Sequence, residues 1–189
     1  MQQRLQEIVS CLEAERARLL AAADGVPRER WRESPSERRW STAEVLEHLR
    51  LSEDRIARLV WKLGKQARRD GHVPLETSTS SMLASLDHVL DGRGIVDRSV
   101  PRIAPEFVRP AGDIDVEAVV RGLAESRAAL LGGIALVDGL ALEQMRWMHP
   151  ALGELNLYQY ILFVAQHEAR HAMQVAEIGA TLAEHAASG

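Results

Sequence analysis

The chain has 189 residues, of which 46% are hydrophobic and 26% are charged, and its formal net charge at pH 7 is −4. This length and composition predict one soluble globular domain, residues 1–189, that buries a substantial core. The negative charge and the scattered Lys and Arg residues argue against nucleic-acid binding, and no apolar run approaches a membrane span. The single cysteine, Cys11, excludes an internal disulfide and is typical of a protein of the reducing cytoplasm.

Two helices are predicted in the first third of the chain from apolar residues that recur at helical spacing. The first covers residues 2–23, and an Asp-Gly pair and Pro27 end it. The second begins at Ser41, which forms a capping-box signature with Glu44, and continues to about residue 68. His48 lies at the margin of its apolar stripe, where a side chain can be buried and still reach a cleft.

Two further helices are predicted over residues 115–137 and 156–184, the last with Asn156 as its N-cap. A short helix is predicted near residues 80–90, and the prolines at 101, 105 and 110 predict an extended, irregular segment over residues 95–110. No alternating pattern predicts a strand. The fold class is therefore all-α, a four-helix bundle with a long irregular crossover between helices 2 and 3, and such bundles commonly build metal sites from facing helices.

The fourth helix contains the pentapeptide His-Glu-Ala-Arg-His, residues 167–171. His167 and His171 are four apart, so both imidazoles can reach one metal ion, although a pair alone can also be a chance feature of a helix surface. The spacing matches the zincin helix, in which the glutamate activates a zinc-bound water. The metzincin extension fails at Gln174 and Glu177, and only 18 residues follow His171. A protease is therefore disfavoured, and a third ligand must come from upstream.

The upstream candidates for a third ligand are four histidines: His48, His72, His88 and His149. His48 is the best placed because it lies on a predicted helix beside the core. The other three lie in or near polar loops or before a proline, so they are predicted to be solvated. Glu44 or Glu47 is predicted to orient a ligand from behind. Tyr160 is expected to pack in the core or at a dimer contact, and because it projects on the same side of its helix as His167 it can also line a pocket.

The run over residues 40–49, Trp-Ser-Thr-Ala-Glu-Val-Leu-Glu-His-Leu, resembles the helix-2 signature of the DinB/YfiT-like superfamily. Residues 149–156 and 166–174 resemble the last-helix signature of the same superfamily. The resemblance implies a four-helix bundle, a homodimer, and a metal held by His48, His167 and His171. Some relatives are transferases or isomerases that use low-molecular-weight thiols such as bacillithiol or mycothiol.

Three neutral histidines leave a coordination position open, as in catalytic zinc sites. Imidazole ligands do not select one divalent metal, and zinc or nickel are the first candidates, followed by iron or manganese. The leading hypothesis is a metal-dependent enzyme of the thiol S-transferase type that acts on a small molecule. The alternatives are a metal-dependent hydrolase with Glu168 as the catalytic base, and a non-catalytic metal-binding stress-response module. Glu168 lies in an apolar stripe, so a buried salt bridge to an arginine of another helix is the competing interpretation of this residue.

Overall fold

A computed structural model of the protein describes residues 1–78, 81, 90, 92, 94–99 and 101–188. Its four long helices are α1 (Gln3–Asp24), α2 (Thr42–Asp70), α3 (Val116–Val137) and α4 (Leu157–Ser188). Helix α1 packs mainly against α4 and α2 against α3, while α2 also contacts α4. The predicted four-helix bundle is confirmed, and the crossover between α2 and α3 is long. In this described part of the chain, no helix is long and apolar enough to cross a membrane.

The two helices that carry the histidines begin at well-formed caps. The Ser41 hydroxyl accepts from the Glu44 amide at 3.3 Å, and the Glu44 carboxylate accepts from the Ser41 amide at 2.8 Å, which confirms the capping box. At the start of α4, Asn156 and Gln159 make the equivalent reciprocal pair, with both distances 2.9 Å. These caps fix where each helix begins and therefore the direction in which each histidine projects.

A short antiparallel hairpin precedes α4, so the prediction that the chain contains no strand was wrong at this point. Its strands are β1 (Arg146–His149) and β2 (Gly153–Asn156), with His149 opposite Gly153 in the register. Gly153 has φ of 76°, a conformation that glycine adopts without strain. Strands of four residues with mostly exposed side chains leave no alternating hydrophobic pattern, and the sequence therefore gave no signal.

The crossover segment is irregular, as predicted. In the described parts of residues 95–110 the regular element is a single 3₁₀ turn, Glu106–Val108, and Val108 is buried against the bundle. An isolated bridge between Leu75 and Leu140 ties the start of the crossover to the end of α3. The short helix predicted near residues 80–90 lies almost entirely outside the described residues.

The interior of the bundle contains two apolar clusters separated by a buried ionic layer. One cluster includes Leu12, Ile56 and Leu130, and the other includes Leu19 and Leu49. Between these levels each helix contributes one charged residue, and we name the four together the ionic layer: Arg16, Glu53, Arg127 and Glu168. Both carboxylates are only 1% exposed, so their pairing with the two guanidinium groups is essential to keep them buried.

Candidate metal centre

Helices α2 and α4 bring the three predicted histidines together. The Nε2 atom of His167 lies 3.2 Å from Nε2 of His48 and 3.1 Å from Nε2 of His171. Candidate ligand atoms of all three residues lie within 4.8 Å of one another. His48 and His171 are buried, and His167 is half-buried. The arrangement is a compact group of imidazole nitrogens beside a single pocket.

The spacing of these nitrogens fits a tetrahedral metal. Zinc–imidazole bonds of 2.0–2.1 Å in a tetrahedral arrangement place neighbouring ligand nitrogens about 3.3–3.4 Å apart. The two distances to His167 Nε2, 3.2 and 3.1 Å, are close to this value. These two spacings, with all three ligand atoms within 4.8 Å of one another, are compatible with one divalent cation among the three rings.

Hydrogen bonds on the far side of two rings set their tautomers. The Nδ1 atom of His48 lies 2.7 Å from the carbonyl oxygen of Val108, and Nδ1 of His171 lies 2.8 Å from Oε1 of Gln174. Both partners are acceptors, so each Nδ1 carries the proton and each Nε2 presents a lone pair toward His167. One proton on His167 Nε2 cannot serve both lone pairs well, whereas a cation at the centre satisfies all three rings.

The electrostatic environment keeps the histidines neutral. Burial lowers the pKa of His48, and it lowers the pKa of His171 to about 3. The pKa of His167 is well below its ordinary value because the ring is buried and lies beside the two other histidines. Neutral imidazole is the form that binds metals, so protons compete weakly for this site at neutral pH.

These pKa shifts predict that the metal-free protein is destabilised by acid. The folded pKa values of all three histidines lie below the unfolded value of 6.5, and that of His171 is about 3, so below pH 6.5 the unfolded chain binds more protons. The stability should therefore fall as the pH decreases below 6.5, by roughly 1.4 kcal/mol per pH unit for each histidine that stays neutral. Urea unfolding of the chelator-treated protein at about pH 7.5 and pH 5.5 checks this. Equal free energies of unfolding at both pH values would contradict it.

The three histidines lie in the wall of a pocket of about 970 Å³. The hairpin, α2, α4 and the end of the crossover supply its other walls. Tyr160 lines this pocket and also packs in the buried core of the bundle, so it does both. His149 also lines it, packs against Phe163 with ring centroids 4.8 Å apart, and is half-buried, so it is only partly solvated. His72 is exposed as predicted, and His88 lies outside the described residues.

Glu168 is held in the ionic layer. Its carboxylate accepts from Arg127 at 2.9 and 3.0 Å and from Nε of Arg16 at 2.8 Å. Burial raises the pKa of Glu168, while the two arginines act in the opposite direction. Glu168 is not among the described residues that line the pocket. The buried salt bridge, which was the competing interpretation of Glu168, is therefore present. The catalytic role of Glu168 stays a prediction, and the pairing with two arginines disfavours it.

The groups that orient the histidines were not found from the sequence. Glu44 is engaged in the helix cap and Glu47 pairs with Arg50 at 2.6 Å, while the orienting contacts come from Val108 and Gln174. A main-chain carbonyl carries no sequence signal, because every residue has one. Gln174 follows His171 by three residues on one helix face, a spacing that could have identified it.

The fold and the site define a class of four-helix bundles in which histidines from facing helices converge on one pocket. The chain belongs to the DinB superfamily, whose family profile matches residues 12–175. It is 30% identical over 161 residues to the uncharacterized protein YuaE of Bacillus subtilis (strain 168), a match that covers 82% of this chain and 86% of YuaE. It is also similar to the crystal structure of TT2238, a four-helix bundle protein, with a TM-score of 0.59 and 23% identity over 91% of this chain and 98% of TT2238. The last likeness shows the fold alone.

Proposed function

We propose that the protein is a metal-dependent enzyme in which His48, His167 and His171 hold a divalent cation that activates a low-molecular-weight thiol for transfer to an electrophile. The observation that supports this most strongly is the convergence of three imidazoles in the wall of a large pocket, with Nε2 of His167 3.1–3.2 Å from Nε2 of the other two. Zinc or nickel are the first candidates for the cation, with iron or manganese next. Three ligands leave space for a substrate atom, which is typical of catalytic sites.

A divalent cation bound there would lower the pKa of a coordinating thiol, so that the thiol ionises near neutral pH. The protein residues supply orientation and exclusion of water. Val108 and Gln174 hold two of the rings in the tautomer that exposes Nε2. Phe163 stacks on His167 with ring centroids 5.0 Å apart, which fixes the third ring and gives the pocket an apolar wall.

Two other functions remain as alternatives. A hydrolase needs a base near the metal. Glu168 is the candidate base, but its ion pairs with Arg16 and Arg127 disfavour this role. A non-catalytic metal-binding module needs no substrate pocket, so the pocket of about 970 Å³ favours an enzyme. The homodimer and the cytoplasmic location stay predictions, the first from the family and the second from the single cysteine.

The thiol activity can be tested with protein purified without a histidine tag and loaded with zinc. We expect this protein to consume 2-mercaptoethanol in the presence of a small electrophile such as a haloalkane at least about tenfold faster than the metal-free protein. A parallel assay with a neutral ester measures hydrolysis. Ester cleavage without thiol consumption would favour the hydrolase, and a bound metal that supports neither reaction would favour the non-catalytic module.

A further inference from the structure

The pocket concentrates positive charge although the whole chain is negative. Seven arginines line it, from α2, α4 and the segments before α2 and α3, and no aspartate or glutamate occurs among the described lining residues. The formal net charge of the chain is −4, so this local excess does not follow from its composition. A cleft lined by charge of one sign focuses the electrostatic field on whatever enters it.

The arginines of the pocket differ in their contacts. Arg98 and Arg39 both approach the carboxylate of Glu177, at 2.6 and 3.5 Å. The Arg55 guanidinium lies over the ring of Phe107, 4.1 Å from its centroid, and Arg109 donates from Nε to the carbonyl of Ala104 at 2.9 Å. Within the described part of the chain, neither Arg55 nor Arg109 forms an ion pair with a carboxylate.

Arg55 and Arg109 both adjoin the 3₁₀ turn that also contacts the candidate metal ligand His48. Phe107, which contacts Arg55, and Arg109 flank Val108, whose carbonyl binds His48. His48 and Arg55 are seven residues apart on α2, which is about 10 Å along the helix axis. Arg55 on α2 and Arg109 directly after the 3₁₀ turn thus present two exposed guanidinium groups to the pocket that the histidines line.

We propose that the substrate is a small acidic molecule, and that Arg55 and Arg109 bind its carboxylate or other oxyanion while its reacting group faces His48, His167 and His171. This inference rests on the proposed function for the identity of the reacting end. The guanidinium fork matches the geometry of carboxylate and phosphate oxygens. A pocket of about 970 Å³ has the size of a small-molecule site.

The test compares glutarate with glutaramide, which has the same carbon chain without charge. Binding is measured by calorimetry on the zinc-loaded protein and again on the metal-free protein, because a carboxylate can also bind zinc directly. We expect glutarate to bind at least about tenfold more tightly than glutaramide in both forms. Inorganic phosphate is the third ligand tested. Tighter binding of phosphate than of glutarate identifies a phosphate-type oxyanion, and weaker binding identifies a carboxylate.

The variant Arg55→Gln/Arg109→Gln should lose about tenfold or more in glutarate affinity, with its zinc content and its glutaramide affinity unchanged. Arg58→Gln is the matched control, since Arg58 lies on the same helix, is exposed and pairs with Asp54 outside the pocket. Equal binding of glutarate and glutaramide, or equal losses in the double variant and in Arg58→Gln, would overturn the inference. Failure of zinc to bind would count against the proposed function, while the comparison on metal-free protein would still decide the charge preference.

Discussion

His167→Ala should abolish stoichiometric zinc binding. His167 is the central member of the group, because its Nε2 is the atom that both His48 and His171 approach. Its removal leaves two imidazoles, and two neutral ligands with water hold zinc far more weakly than three, by roughly 10²-fold or more. Elemental analysis of untagged protein after dialysis against zinc is the measurement. We expect about one zinc per chain for the unmodified protein and a small fraction of that for the variant.

The matched control for this experiment is His72→Ala, which removes an exposed histidine outside the pocket. Its zinc content should equal that of the unmodified protein. Circular dichroism should show the same helix content for both variants, since alanine is compatible with a helix and His167 is half-buried. Zinc binding by folded His167→Ala at the unmodified level would contradict the three-histidine site.

Glu168→Gln should destabilise the bundle and leave the metal site intact. The substitution removes one of the two negative charges in the ionic layer and leaves Arg16 and Arg127 with only Glu53 as a charged partner. Breaking a buried ion pair from one side costs about 3–5 kcal/mol, and the retained shape of glutamine favours the lower end of this range. A loss of about 3 kcal/mol lowers the melting temperature of a chain of this size by roughly 6–12 °C.

The matched control is Glu154→Gln, which removes a carboxylate from the exposed pair with Arg146 in the hairpin. Its effect should be within about 1 kcal/mol. Zinc content and thiol consumption separate the two interpretations of Glu168. If Glu168 acts as a general base, Glu168→Gln also lowers the activity of the folded, metal-bound protein by roughly 10²–10⁴-fold, whereas a purely structural role appears in the stability alone. Loss of zinc without unfolding would contradict both, because Glu168 would then hold the metal itself.

Local sequence signals predicted most of the fold. The capping box at Ser41 and the N-cap at Asn156 located the starts of α2 and α4 to within a residue. Apolar spacing located α1 and α3 in the same way. These features depend on residues three or four apart, so a single sequence contains them in full. The hairpin before α4 was missed because its four-residue strands are mostly exposed.

The histidines were identified, and a salt bridge of Glu168 to some arginine was considered, but the particular arginines and the groups that orient the histidines were not. The pairing of Arg16 with Glu168 joins residues 152 positions apart, and the contact of His48 with Val108 crosses the irregular segment. Neither contact leaves a periodic pattern, because each depends on how the helices pack and on where the crossover returns. The same holds for the arginines of the pocket, which are scattered in the sequence and converge only in the folded chain.

X-ray absorption at the zinc edge of the untagged, zinc-loaded protein tests most directly whether the three histidines bind the metal. It measures the type, number and distance of the atoms bound to the metal without dependence on any assumed activity. We expect three imidazole nitrogens at about 2.0–2.1 Å together with one further light atom. A metal surrounded by oxygen atoms alone, or by fewer than three imidazoles, would contradict the assignment of His48, His167 and His171 as its ligands.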